Sequence, residues 1–228
     1  MPSLHGTSPT AADLTTTARH EAGHLLMLWL LERQGVACGI ADGCGLTQQL
    51  KSDDAPLETQ HEHILYALAG MVAENNTFLL DELRANVEHP ERFDVQSDSF
   101  HVSLAISRLS GNPEVWLDGY AEGIRRLQQR FAKALTEATR LVRERGIISF
   151  DITHALFQKW DDVYFADGRV KSDLVGRTIA RVMGWHVPRE IQLGWDLKPL
   201  PPDWKPMPRF TLKELAMKIK AGLDRKDV

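Results

Sequence analysis

The sequence contains little cysteine, no excess of basic residues and no long run of apolar residues. Its longest apolar run, residues 25–31, is far shorter than the roughly 20 residues that a membrane-spanning helix needs. The first residues also lack the cationic stretch followed by an apolar one that marks a secretory signal peptide. We therefore expect a cytoplasmic protein with no membrane segment.

Three further absences narrow the function. The 27 basic and 31 acidic residues leave a net charge of −4, which offers no basic surface to a nucleic acid. No Gly-x-x-x-x-Gly-Lys-Ser/Thr phosphate loop occurs, so we expect no ATP hydrolysis by the chain itself. The two cysteines, Cys38 and Cys44, are too few and wrongly spaced for a structural zinc site. We interpret them as reduced thiols.

The periodicity of apolar residues predicts a mainly α fold. Helical spacing extends over residues 57–83 and from about 120 to 145, where Gly146 marks the end, and shorter helices are predicted from Asp151 and over 171–183. A last helix is predicted to begin with the capping box at residues 211–214. The glycine-rich stretch 36–50 is typical of two short strands joined by a turn at Asp42 and Gly43.

The most informative motif is His20-Glu21-Ala22-Gly23-His24. A capping box at residues 10–13 and a stop at Gly35 predict one helix around it. On a helix, His20 and His24 lie on the same face and can bind one metal ion, with Glu21 beside the water that the metal would carry. Zinc lowers the pKa of such a water to about 7. The motif predicts metal-assisted hydrolysis with Glu21 as general base and acid, against the alternative of two ordinary helix-face histidines.

A catalytic zinc ion usually takes three protein ligands and keeps one position for water. Downstream of the motif, the candidates for the third ligand are Glu74, Asp94, Asp98 and His101. The residue types alone do not choose among them.

The order of the motifs resembles the peptidase domain of the FtsH family of zinc metalloproteases. In that family, His-Glu-Ala-Gly-His is followed by a Gly-x-x-Ala-Glu signature, matched here by residues 70–74, and then by a Ser/Asn-Asp pair, matched by Ser97 and Asp98. The resemblance covers roughly residues 14–158. It implies a zincin-like helical metallopeptidase domain with Asp98 as the third zinc ligand.

Two details of the resemblance leave alternatives open. Residues 93–96 replace the Thr-Gly-Ala stretch of the family, so Asp94 stays an alternative ligand to Asp98. Asp98 is preferred because Ser97 and Asp98 can cap the next helix, although a plain helix cap would also explain this aspartate. Glu74 is either an acceptor that orients a ligand histidine or a solvated carboxylate.

The resemblance also assigns a role to the predicted strands. It implies a small β-sheet beside the cleft, with Gly45, Leu46 and Thr47 as substrate-binding residues on a strand to which an extended peptide could add. An ordinary surface hairpin is the alternative. Residues 1–160 would form the peptidase domain. Residues 161–228 would be a C-terminal extension that either straps the domain or docks a protein partner or a second copy of the chain.

Three functional hypotheses follow. The first is a zinc-dependent metalloendopeptidase that hydrolyses polypeptides without ATP, since the membrane helices and ATPase domain of the FtsH family have no counterpart in the sequence. The second is a noncatalytic protein-binding module stabilised by zinc. The third is a hydrolase of a non-peptide amide.

Overall fold

The computed structural model describes residues 11–33, 36–41, 44–49, 60–109 and 111–184. Within these ranges the chain is mainly helical with one small antiparallel sheet, and none of the helices found there has the length and apolarity to cross a membrane. The elements are α1 (Ala11–Leu30), β1 (Val36–Ala41), β2 (Cys44–Gln49), α2 (Gln60–Glu74), α3 (Thr77–Asn86), a 3-10 turn (Pro90–Arg92), α4 (Asp98–Ile106), α5 (Pro113–Arg130), α6 (Ala132–Arg145), β3 (Ile147–Ile148), α7 (Phe150–Tyr164) and α8 (Lys171–Val182).

Helix α1 is the centre of the fold. Every residue from Glu21 to Leu31 is buried, because α2, α6 and the sheet all pack against this helix. Gly23 lets α2 approach closely, since a Cβ at this position would lie 2.5 Å from the carbonyl oxygen of Ala69. The last four residues of the His-Glu-Ala-Gly-His motif are therefore held in the core.

The sheet has the order β2-β1-β3, with β1 antiparallel to both neighbours. Cys38 on β1 pairs with Thr47 on β2, and β2 forms one edge of the sheet as described. The predicted strands are confirmed, while the predicted turn residues 42 and 43 lie outside the described residues. Both cysteine thiols are free, Cys38 being buried and Cys44 half-buried.

The prediction of one continuous helix over residues 57–83 is wrong. The helix ends at Glu74, Asn75 adopts a left-handed backbone conformation with φ of 57°, and a new helix begins at Thr77. Asn76 caps this second helix, because its side-chain oxygen accepts a hydrogen bond of 3.3 Å from the Leu79 backbone N–H. The two asparagines thus break a segment whose apolar spacing is helical throughout.

The helix predicted from about residue 120 to 145 is also two helices. Helix α5 begins earlier than predicted, at Pro113, and the break comes at Phe131, where φ is −103° and ψ is 29°. The Phe131 ring is fully buried and packs edge-on against Trp29. The predicted end at Gly146 is confirmed, with the positive φ of 70° that favours glycine.

Helices α7 and α8 cover the C-terminal end of α1. The Trp29 indole donates a hydrogen bond of 3.0 Å to Asp161, and Lys171 donates one of 2.8 Å to the same carboxylate oxygen. The predicted domain boundary at residue 160 falls inside α7, and α8 packs against α5. The rest of the extension, residues 185–228, and the helix predicted at 211–214 lie outside the described residues.

One buried histidine makes the stability of this core dependent on pH. His61 of α2 is hydrogen-bonded to the Tyr120 hydroxyl of α5, and burial lowers the pKa of His61 from 6.5 to about 4. Between these pH values the unfolded chain binds a proton that the folded chain does not bind. Neutral His61 therefore contributes fully to the stability of the fold above the pKa that it has in the unfolded chain. This contribution is lost as the pH falls toward the pKa of His61 in the folded chain.

We expect His61 to reduce the free energy of unfolding by about 3 kcal/mol between pH 7 and pH 4. Urea titrations across this interval measure the change in the wild type and in His61→Asn, which lacks the titrating group. Between pH 7 and pH 4, the decrease in the free energy of unfolding should be smaller in the variant than in the wild type by about that amount. Parallel pH curves for the two proteins would contradict the assignment.

Candidate metal centre

The two histidines of the motif face each other on α1. His20 and His24 are one helical turn apart, their ring centroids are 4.7 Å apart, and their Nε2 atoms are 2.9 Å apart. His24 is buried, whereas His20 retains partial exposure. The helix thus presents two imidazole nitrogens to one point, as the spacing predicts.

Asp98 joins the histidines from the start of α4. Its Oδ2 atom lies 2.8 Å from His20 Nε2 and 3.2 Å from His24 Nε2. The cap of α4 is Ser97, whose side chain accepts a hydrogen bond of 3.2 Å from the Phe100 backbone N–H. The carboxylate of Asp98 is therefore not used as the helix cap and is available to the histidines.

None of the three alternative ligands belongs to this cluster, and the ring of His101 instead packs edge-on against His63, with the centroids 5.3 Å apart. Asp94 is exposed, and its carboxylate accepts a hydrogen bond of 2.8 Å from the Gln96 backbone N–H. The Glu74 carboxylate contacts the far nitrogen of His20, at 2.6 Å from Nδ1. In the described residues, the one group of three or more His, Cys, Asp or Glu side chains close enough to share a metal is His20, His24 and Asp98.

The outer partners of the histidines determine where their protons lie. His20 Nδ1 is 2.6 Å from Glu74, and His24 Nδ1 is 2.8 Å from the carbonyl oxygen of Tyr66. The Tyr66 carbonyl oxygen can only accept, so His24 donates from Nδ1, and the Glu74 carboxylate is placed to accept from His20 Nδ1 in the same way. In the neutral form of each ring the single N–H is then on Nδ1 and Nε2 carries a lone pair that can bind a metal ion, whereas in the protonated form Nε2 donates to Asp98.

Two imidazole nitrogens and a carboxylate oxygen converge here and could hold a metal ion, and zinc is one ion that this donor set fits. Zinc binds imidazole nitrogen and carboxylate oxygen at about 2.0–2.2 Å, so tetrahedral ligand atoms lie about 3.3 Å apart. The separations of 2.8, 2.9 and 3.2 Å among His20, His24 and Asp98 are close to that value. Nδ1 hydrogen bonds to a carboxylate and a carbonyl also match the way ligand histidines are oriented in zinc proteins.

The electrostatics of the cluster favour positive charge. Burial opposes the charged form of His20, yet its hydrogen bonds to Asp98 and Glu74 outweigh burial and raise its pKa. The pKa of His24 is also raised, because the charge of Asp98 outweighs burial. Burial likewise opposes ionisation of Asp98, but the charge of His24 and the hydrogen bond to His20 hold its pKa well below its usual range. The same potential attracts a divalent cation.

Glu21 lies under strand β2. Its carboxylate is 3% exposed, and the Thr47 hydroxyl donates a hydrogen bond of 2.6 Å to Oε2. Burial raises the pKa of Glu21, against the opposing charges of His20 and His24. Of the predicted substrate-binding residues, Gly45 and Thr47 contact Glu21, and Leu46 is half-buried. Their contact with a substrate stays a prediction.

Gly70 of α2 was part of the motif resemblance but was not predicted as a site residue. A Cβ at this position would lie 2.5 Å from His24 Nε2 and 2.6 Å from His20 Nε2. Only a glycine therefore lets α2 pass this close to the Nε2 edges of the two rings. Its place in the Gly-x-x-Ala-Glu sequence was the available signal.

Comparison with models of known protein families and with curated proteins finds no match to this chain. The case for a metal centre therefore depends on the positions of the residues described above.

Replacing Glu74 by Gln should weaken zinc binding by about 10–100-fold, because the amide orients His20 and raises its basicity less well than the carboxylate. Competition with a chromophoric chelator measures the affinity. Asp94→Asn is the matched control, since Asp94 lies outside the cluster, and its affinity should be unchanged. Equal affinities for all three proteins would show that Glu74 does not support the site.

Gly70→Ala should abolish stoichiometric zinc binding, because the added methyl group would displace both imidazole rings. Elemental analysis of the purified protein measures the metal content. Gly123→Ala is the control: it adds a methyl group to another helical glycine, where it would meet the Ile179 side chain instead of the histidines. Normal zinc content in Gly70→Ala would contradict this role for the glycine.

Proposed function

We propose that the chain is a zinc-dependent metalloendopeptidase with a zincin-like site, related in architecture to the peptidase domain of the FtsH family. One observation carries the proposal. The Nε2 atoms of His20 and His24 and the carboxylate of Asp98 converge, while both Nδ1 atoms are engaged by Glu74 and a backbone carbonyl. The three converging atoms are placed to bind one cation together.

The proposed reaction assigns separate tasks to the metal and to the chain. His20, His24 and Asp98 would hold a zinc ion, which would supply Lewis-acid activation of a water molecule and of the scissile carbonyl. Glu74 and the Tyr66 carbonyl keep the two rings in orientation. Glu21, on the same helix, accepts the proton of the attacking water and returns it to the leaving nitrogen.

Polypeptides are the proposed substrates. Strand β2 lies at an edge of the described sheet and contacts Glu21 through Gly45 and Thr47. An extended peptide that paired with such an edge would bind through main-chain hydrogen bonds, with little demand on its sequence. A cytoplasmic location, and contact with a partner or a second copy through residues 161–228, remain predictions.

A second candidate, a noncatalytic module stabilised by zinc, is favoured by the burial of Glu21. The carboxylate is nearly inaccessible and hydrogen-bonded to Thr47, as a purely structural residue would be. The two candidates differ in what Glu21 does once the metal is bound. In the first it transfers protons, and in the second it only packs.

We expect the zinc-reconstituted wild type to hold about one zinc ion per chain, and His24→Ala and Asp98→Ala to lose it. Glu21→Gln should retain zinc but hydrolyse a labelled unfolded polypeptide about 10²–10⁴-fold more slowly, because the amide cannot accept the proton. Elemental analysis and a fluorescence cleavage assay give the two readouts.

Glu82→Gln, a change at an exposed position on α3, is the matched control and should retain full activity. Wild-type cleavage rates in Glu21→Gln would eliminate the proposed mechanism. Zinc binding without hydrolysis of any peptide or other amide by the wild type would favour the noncatalytic module.

A further inference from the structure

Strand β2 contacts the Glu21 carboxylate through a hydroxyl that the zinc site does not use. Thr47 is 2% exposed, and its Oγ1 lies 2.6 Å from Glu21 Oε2 and 3.4 Å from the Glu21 backbone oxygen. A hydroxyl has one proton to donate, and the shorter contact to the more highly charged acceptor takes it. Thr47 therefore binds one specific oxygen of the carboxylate.

Gly45 leaves room for the other oxygen. Positions 45 and 47 point to the same face of the strand, since side chains alternate along β2. A Cβ at Gly45 would overlap Glu21 Oε1, the oxygen that Thr47 does not bind. The face of β2 that covers Glu21 thus combines one donor with one missing side chain, and together they hold the carboxylate in a single orientation.

Cys38 on the neighbouring strand is the register partner of Thr47 and is buried. Burial and the nearby charge of Glu21 raise the pKa of the Cys38 thiol well above its usual value, so Cys38 adds no negative charge beside Glu21.

We propose that Thr47 is a positioning residue that fixes the Glu21 carboxylate through its hydroxyl, with Gly45 providing the space that this orientation needs. The inference rests on the proposed hydrolysis for its catalytic consequence. A general base must be within hydrogen-bond reach of the proton that it abstracts, and small displacements of reacting groups cost large factors in rate. Loss of the Thr47 hydroxyl therefore lowers turnover without removing the metal or the base.

The test compares Thr47→Val, which keeps the shape and removes the donor, with Thr47→Ser, which keeps the donor. We expect Thr47→Val to retain its zinc and its KM while kcat falls by about 10–100-fold. Thr47→Ser should recover kcat to within a few-fold of the wild type. Thr153→Val is the control, because Thr153 is also buried but its hydroxyl bonds to the Ser149 carbonyl oxygen on α7. It should leave kcat unchanged.

A second measurement does not depend on hydrolysis. Urea unfolding of the zinc-loaded protein should show that Thr47→Val lowers the midpoint in the presence of Glu21, but lowers it less in Glu21→Met, which has no acceptor. Equal shifts in both backgrounds, or a wild-type kcat in Thr47→Val, would overturn the inference. Unequal shifts in a protein that cleaves nothing would support the positioning of Glu21 by Thr47 and reject the proposed function instead.

Discussion

The convergence of two imidazoles and a carboxylate on one point is the constraint on which the rest of the structure depends. His20 Nε2, His24 Nε2 and Asp98 Oδ2 lie within 3.2 Å of one another, and positive charge on protonated rings or on a bound cation balances the carboxylate. Since α1 supplies the rings, α4 the carboxylate and α2 the acceptors for both Nδ1 atoms, a cation bound here would join three helices that are far apart in sequence. Metal binding would then be coupled to the packing of these helices.

Close approach of the helices makes this convergence geometrically feasible. Gly23 on α1 and Gly70 on α2 remove side chains where the two helices would otherwise be forced apart. The carbonyl oxygen of Ala69, which Gly23 allows near α1, also accepts a hydrogen bond of 2.8 Å from Gln128 on α5. The backbone of α2 beside the candidate metal site is therefore held by contacts with both α1 and α5, and the imidazoles pack against this fixed segment.

Local chemistry made much of the site predictable. The spacing of His20 and His24 depends only on helical geometry, and Asp98 follows from the order of motifs together with a serine that can cap a helix. The breaks at Asn75 and Phe131 were not predicted, because apolar residues such as Leu79 and Leu135 keep a helical period across them. The apolar periodicity of a segment indicates which face is buried, but it does not indicate whether the segment forms one uninterrupted helix.

Contacts between strands and helices were harder to predict. The bond from Thr47 to Glu21 depends on the register of β2 and on how the sheet lies over α1, and neither is visible in the residue types. Gly45, Leu46 and Thr47 were identified as a segment beside the cleft, yet which of them contacts the carboxylate follows only from the alternation of side chains once the strand is in place. The position of the strand in the folded structure therefore decides which of these residues contacts Glu21.

The contacts around Trp29 indicate how much of the chain is needed to enclose helix α1, which carries the two histidines. The Trp29 ring stacks on Phe157 at 5.0 Å and lies beneath the Lys171 ammonium group, so residues from α7 and from the start of α8 complete the environment of the helix that carries both histidines. A chain shortened to residue 160 would lose Asp161 and Lys171 and would expose one side of that indole. The unit that keeps helix α1 enclosed consequently extends past the point where the family resemblance ends.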